Sequence, residues 1–345
     1  MKQLSIIIPV YNVEKYIHMC LESIFRQSID DDTFEVILVN DGTPDRSMEV
    51  IADIVETHQN IHIINQENQG LSVARNNGMQ IASGKYILFI DSDDLLIDNS
   101  VPYLLEKAVS SKVDLVVADF IKMYDEEIAH LENKNFIRRN GRTIEKTGIE
   151  LFLQDLNPHY CHVWRTMYRR NFLNNNNLRF IPHICFEDIP FTQQCYLKAN
   201  LSLRVNWDFI IYRKGHTSIT SSFNLKKAKD FCTAISETWK MSNKDNLDYH
   251  IKTKLRNNAF VHFSLLLYSL TSCDSIPRTE KMSILYYLKK TTPDLTFKNG
   301  IKQRIVDLFY QRMPSTYMIL RIIYANYFQY LFWAIGDFIR GKKNK

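Results

Sequence analysis

Several familiar signatures are missing from this chain of 345 residues. No G-x-G-x-x-G follows the first strand-like run, and no G-x-x-x-x-G-K-[ST] occurs anywhere, which disfavours dinucleotide oxidoreductases and P-loop enzymes. The six cysteines, at positions 20, 161, 185, 195, 232 and 273, form no C-x-x-C pair and no zinc-like spacing. They read as structural thiols of a reducing, cytoplasmic compartment. The opening MKQLSIIIPVYN passes directly into a strand-like run. It lacks the apolar core of ~7–15 residues and the small-residue cleavage site of a secretory signal.

What is present is ordinary in amount and uneven in placement. Hydrophobic residues make up 45% and charged residues 23%, the balance of a soluble globular protein with a full core. The formal charge of +5 conceals an asymmetry: residues 1–220 sum to −7 and residues 221–345 to +12. A near-neutral head joined to a basic tail suggests that the tail faces an anionic surface. The basic surplus accompanies an apolar helix and no reader motif, so nucleic-acid binding is not expected.

Apolar, β-branched runs recur at Leu4–Ile8, Phe34–Val39, Ile61–Ile64, Tyr86–Ile90 and Asp114–Ala118, their starts 25 to 30 residues apart. Each gap accommodates a crossover helix. Glu14 to Gln27 fits one, since Ile17, Cys20, Leu21, Ile24 and Phe25 make a single stripe at helical spacing. The expected fold is α/β, a mostly parallel sheet between helices. Lys122 to Arg142 reads as a loop or edge excursion, Gly148 to Leu156 as a short helix, and Leu201–Ile211 as a further strand.

The stretch KYILFIDSDDLL delivers Asp91, Asp93 and Asp94 to the end of the fourth run, where open α/β sheets bind ligands. Strand alternation would put Asp91 and Asp93 on one side. Two carboxylates held close repel unless a cation or a hydroxyl-rich ligand lies between them, and hard oxygen donors suit Mg²⁺ or Mn²⁺ with substrate phosphate. An acidic turn or helix cap explains the same residues without a ligand. At the ends of the first two runs, Tyr11 offers a ring for stacking and Asp41 a carboxylate for a base N–H. Arg75, on the helix opened by Asn68-Gln69-Gly70, is placed to pair with the acidic cluster or with phosphate. In CFEDIPF, apolar neighbours flank Glu187 and Asp188, an arrangement that desolvates a carboxylate and raises its pKa toward that of a useful base.

IIIPVYN, VILVNDGTPDRS, NQGLSVARNNG and GKYILFIDSDD, in this order over about 95 residues, resemble the nucleotide-sugar-binding half of family 2 glycosyltransferases with a GT-A fold. The resemblance implies a donor, typically a UDP-sugar, bound by Pro9, Tyr11, Asn12, Asp41, Arg75, Asp91 and Ser92. Asp93 becomes the metal ligand of a D-x-D motif for Mg²⁺ or Mn²⁺, and Asp94 an assistant. It further implies Asp188 as general base with Glu187 supporting it. Trp164 lies in a segment similar to one lining the donor and acceptor region, and His216 in a closing loop whose histidine completes the metal site.

The last segment is two-faced. Arg321, Asn326, Gln329, Asp337 and Arg340 fall on one side of a helix, with Leu320, Tyr324, Tyr327, Leu331, Ile335 and Phe338 on the other. Only 15 uncharged residues separate Arg321 from Asp337, short of the ~20 that span a bilayer. The expected organisation is therefore a catalytic domain over 1–220 and a basic helical region over 221–345 lying at the inner membrane face, with a lipid-linked glycan as acceptor. Packing of that region on a partner or on the catalytic domain is the alternative. A non-catalytic nucleotide-sugar binder and a haloacid-dehalogenase-type phosphotransferase compete for the function. The second expects Thr or Val where Leu95 stands.

Overall fold

The computed structural model describes residues 2–130, 141–215 and 223–297, together with 304, 306, 307, 310 and 311. The chain divides into two compact units, Met1–Ser218 and Ile219–Lys345.

The first unit is built on one sheet. Strands β1 (Leu4–Val10), β2 (Phe34–Asn40), β3 (Ile61–Asn65) and β4 (Tyr86–Phe89) pair in parallel in the order β3-β2-β1-β4. Every residue of β1 and β4 is buried, which is why these strands read as unbroken apolar runs. The helix expected after β1 is α1 (Ile17–Phe25), and the stripe residues Ile17, Cys20, Leu21 and Ile24 are all buried. Helices α2 (Ala52–Thr57) and α3 (Leu71–Ile81) make the next crossovers.

Beyond β4 the sheet becomes mixed. The two-residue β5 (Leu95–Leu96) precedes α4 (Ser100–Ser111). Strand β6 (Leu115–Tyr124) begins where the fifth run predicts a strand and continues through Lys122, where the sequence suggests an excursion. It leads into α5 (Asp125–Ile128). The rest of that excursion, 131–140, lies outside the described residues. Next come β7 (Thr143–Lys146) and α6 (Gly148–Glu150), which runs into a π-type turn at Leu151–Asp155.

A 3₁₀ turn over Val163–Arg165 then leads to β8 (Thr166–Arg169), not to a helix, followed by α7 (Arg170–Asn175). Helix α8 (Asp188–Lys198) and the long β9 (Ser202–Lys214) complete the unit. β8 is antiparallel to both β4 and β6 and lies between them, while β9 is parallel to β6. β5 adds antiparallel to β9, pairing Leu95 with Ile211 and Leu96 with Ile210.

In the second unit α9 (Leu225–Ser242) packs on α10 (Tyr249–Ser272) and α11 (Arg278–Thr291), burying Phe231, Ile235, Leu255, Phe263, Leu266, Ile284 and Leu288. No helix among the described residues is long and apolar enough to cross a membrane. The two-faced segment near the C-terminus, from residue 312 on, lies outside the described residues.

Candidate active site

Chain direction explains why acid collects at one end of the sheet. β4 ends at Phe89, and Asp91 to Asp94 form a turn closed by the Asp94 N–H donating to the Asp91 carbonyl at 3.0 Å. The expectation that strand alternation aligns Asp91 and Asp93 is corrected here, because the turn, not the strand, gathers the carboxylates. One oxygen from each of Asp91, Asp93 and Asp94 lies within 4.8 Å of the others. Burial, then the charge of Asp93, raises the Asp94 carboxyl well above the ordinary range. Burial followed by Asp93 raises that of Asp91, against Arg75.

The turn is held from behind by Arg213, which is 5% exposed. Pairing of β5 with β9 sets Arg213 opposite the turn. Its backbone N–H donates to Asp94 Oδ1 at 2.9 Å, its Nε to the Asp93 carbonyl at 2.8 Å and its Nη1 to Asp125 Oδ1 at 2.7 Å. Asp94 Oδ2 remains buried without a hydrogen-bond partner. A buried acceptor left unpaired costs about 1–3 kcal/mol. Three carboxylates with one orphaned oxygen are a donor set that fits Mg²⁺ or Mn²⁺, so the residues present suit a divalent cation.

Arg75 joins this turn to the acidic pair at the start of α8. It is 2% exposed, its guanidinium binds Asp91 through Nη2 and Glu187 through Nη1, and it lies 5.5 Å from the centre of the Phe180 ring. Its position follows from Asp41. That carboxylate, 3% exposed, accepts from the Gln69 and Gly70 N–H groups at 2.8 and 2.9 Å and from Gln66 Nε2 at 2.7 Å, fixing the entry to α3. Gly70 adopts φ +88, a conformation natural to glycine, and lets the chain turn into the helix.

Glu187 is the N-cap residue of α8 and Asp188 its first residue. The preceding Phe186 has φ +64, a left-handed conformation that is costly for a bulky side chain and is often found where structure serves a site. Glu187 is 3% exposed and fully engaged with Arg75. Asp188 keeps 26% of its side chain accessible. Its carboxyl is pushed up to about 8, by burial first and then by the charge of Glu187, against Arg75. It is thus accessible, weakly acidic and held by its neighbour, the properties of a general base.

Around Asp188 stands an aromatic wall. His162 approaches it, Nδ1 to Oδ2, at 3.9 Å and stacks on Trp164 with ring centres 4.6 Å apart. Burial, then Arg165 and Lys214, pushes His162 down to about 3, so it is a neutral ring beside the carboxyl and not an ion-pair partner. Tyr212 packs against both His162 and Trp164, at 5.4 and 5.3 Å.

The remaining expected residues are placed as follows. Tyr11 is 39% exposed and Asn12 is also exposed, its N–H donating to Thr43 Oγ1 at 2.8 Å. Pro9 is buried in β1 and Ser92 is 7% exposed in the acidic turn. Trp164 is 2% exposed with one face covered by His162, so its segment meets the cleft through His162 and Tyr212. His216 lies outside the described residues. Arg213 and Tyr212 were not singled out as site residues by the sequence. Their only local signal is a pair of polar residues ending the apolar run of β9 at a sheet end that already carries acid.

Comparison with known proteins agrees with this geometry. The family described as glycosyl transferase family 2 matches residues 5–176. An uncharacterized glycosyltransferase, EpsJ of Bacillus subtilis, is 36% identical over 219 residues, which cover 63% of this chain and 62% of the relative. The chain therefore spans just under two thirds of that relative. A poly(ribitol-phosphate) beta-glucosyltransferase of Bacillus spizizenii is 29% identical over 63% of this chain and 34% of its own length. Among solved structures, S. aureus TarS 1–349 in complex with UDP shares the fold with a TM-score of 0.68 at 20% identity, over 90% of this chain and 87% of that one.

Proposed function

We propose that this chain, which belongs to glycosyl transferase family 2 through residues 5–176, is an inverting transferase moving a hexosyl or N-acetylhexosaminyl group from a UDP-sugar to an acceptor hydroxyl. The observation that carries the reading is the bridge Asp91–Arg75–Glu187, which sets a three-carboxylate turn and an accessible, weakly acidic Asp188 on one wall.

Tyr11 and Asn12 line the end of β1 where the nucleoside lies, and Asp41 holds the loop that shapes its floor. Asp91 and Asp93, with Asp94 behind them, would hold Mg²⁺ or Mn²⁺. The chemistry that such an ion supplies when bound is neutralisation of the charge that builds on the leaving diphosphate. Asp188 removes the acceptor's hydroxyl proton as the oxygen attacks the anomeric carbon. The new C–O bond forms while the bond to the diphosphate oxygen breaks, and the nucleoside diphosphate departs from the opposite face. One displacement inverts the configuration. Glu187, neutralised by Arg75, keeps Asp188 basic through its own negative charge.

The acceptor class in this reading is a growing surface polysaccharide or teichoic-acid-type glycan, supported by the printed activity of the B. spizizenii relative. The charge of +12 over residues 221–345 supports a peripheral position at the cytoplasmic membrane face with a lipid-linked acceptor. Membrane association unaltered by removal of residues 316–345 would refute that last part. The central test is Asp188→Asn. It should abolish sugar transfer while leaving UDP affinity at its original value, and full turnover by the variant would remove Asp188 from its role.

A further inference from the structure

The wall beside Asp188 continues outward into a pair of lysines that the transfer step does not use. β6 and β9 run parallel with Lys122 opposite Tyr212 and Tyr124 opposite Lys214. Alternate residues of a strand share a face, so Lys122, Tyr212 and Lys214 stand together. Lys214 Nζ lies 3.9 Å from the centre of the Tyr212 ring. Lys122 Nζ lies 4.7 Å from the centre of the Tyr160 ring and donates to its hydroxyl at 3.2 Å. His162 stands between the two tyrosines, with centroid separations of 5.8 and 5.4 Å, and it is His162 that approaches Asp188. Two ammonium groups thus flank a row of three rings that ends at the base.

Each ammonium rests on a ring, and among the described residues neither is paired with a carboxylate. Like charges brought onto one face repel, and an anion between them relieves the repulsion. Tyrosine rings below the lysines suit a sugar or polyol face, because aromatic surface packs on C–H groups while the ammonium groups meet charge. Lys122 sits on the far ring, past His162 from Asp188, on the side from which a hydroxyl must come to give up its proton.

We propose that Lys122 and Lys214 form an acceptor subsite that receives a phosphate or phosphodiester group of the acceptor, one unit away from the hydroxyl that Asp188 deprotonates. This deepens the glycosyl-transfer reading and rests on it for the position of the acceptor. The same chemistry would also suit the donor's diphosphate, and the experiment separates the two.

A synthetic glycerol phosphate trimer and its uncharged glycerol counterpart are titrated into the full chain saturated with UDP and Mn²⁺. The unaltered chain should bind the trimer, more weakly as salt rises, and not the neutral compound. K122A/K214A should lose roughly tenfold in trimer affinity, as two partly exposed ion contacts imply. Its UDP affinity should stay unchanged, which also reports that the variant is folded. Lys122→Arg with Lys214→Arg should restore binding. The inference is overturned if the unaltered chain ignores the trimer or if the double alanine variant binds it as well as before. It is likewise overturned if saturating UDP displaces the trimer or if the variant loses UDP affinity instead, since the lysines would then belong to the donor diphosphate. Absence of UDP release from candidate donors by the unaltered chain would sink the glycosyl-transfer reading. A failure of this inference alone shows as lysine-independent trimer binding in a chain that turns over donor.

Discussion

Replacing Arg75 with methionine keeps much of the side chain's apolar volume and removes the charge that holds two acids. Glu187 is 3% exposed, so its carboxylate would be left buried and uncompensated, whereas Asp91 keeps 29% of its side chain accessible and is partly screened by solvent. Removing one partner of a buried ion pair costs about 3–5 kcal/mol. With Asp91 discounted, the low end applies, about 3 kcal/mol. At ~1.4 kcal/mol per unit this corresponds to a further rise of about two units in the Glu187 pKa. The sign follows from linkage. A carboxyl whose folded pKa is raised imposes no penalty below its unfolded value of ~4.3, an increasing one as pH rises, and the full one above its folded value. Urea denaturation should therefore show R75M less stable than the parent by about 3 kcal/mol at pH 8 and by clearly less at pH 5. Adding Glu187→Gln to R75M should recover part of the loss at pH 8. A difference below about 1 kcal/mol at pH 8, or one that is equal at both pH values, would refute the claim that Arg75 neutralises a buried charge.

Because Asp188 must be ionised to act and burial pushes it up to about 8, transfer at saturating donor should rise with pH and level off above that value. A rate independent of pH between 6 and 9 would count against this base. Asp91→Asn and Asp93→Asn should each weaken UDP affinity measured with Mn²⁺ by roughly tenfold or more while leaving affinity in EDTA unchanged. Equal losses in EDTA would dismiss the ion's part. Gly148→Ala would place a Cβ 2.1 Å from the Tyr196 carbonyl oxygen and 2.7 Å from that of Ala199, both backbone atoms at the end of α8. A loss of about 2 kcal/mol in urea denaturation is expected, and no loss would show that α6 shifts freely away from α8.

The parallel half of the sheet was legible because each strand is buried on both faces and bounded by its own crossover, so local composition carries the whole signal. Beyond Ala118 the local signal fails. β8 is four residues long and owes its conformation to hydrogen bonds with β4 and β6, strands about 80 and 50 residues earlier in the chain. Lys122, polar and exposed, belongs to a strand only because β9 pairs with it.

The site divides in the same way. Asp91, Asp93 and Asp94 could be read together because they are consecutive, though the reason they converge is a turn. Glu187 and Asp188 announced themselves by apolar flanks. Arg75 was open to two readings, and the ion pairs with Asp91 and Glu187 decide for the acids. Asp41 appeared as a candidate for contact with a base, and the structure spends both its oxygens on the entry to α3. Arg213 gave no sign, since its approach to the acidic turn depends on a two-residue strand docking more than 100 residues away in sequence.

The position of β8 has a consequence for how such a chain is made. β1 to β4 find all their parallel neighbours within the first 89 residues, whereas the outer edge of β4 stays open until residues 166–169 have emerged and inserted. A nascent chain between those lengths carries a short, apolar strand edge with bare N–H and C=O groups, the kind of surface to which other unfinished chains adhere. Synthesis is therefore at its most vulnerable over this interval, and closure of that edge by β8 joins the early half of the sheet to the later one.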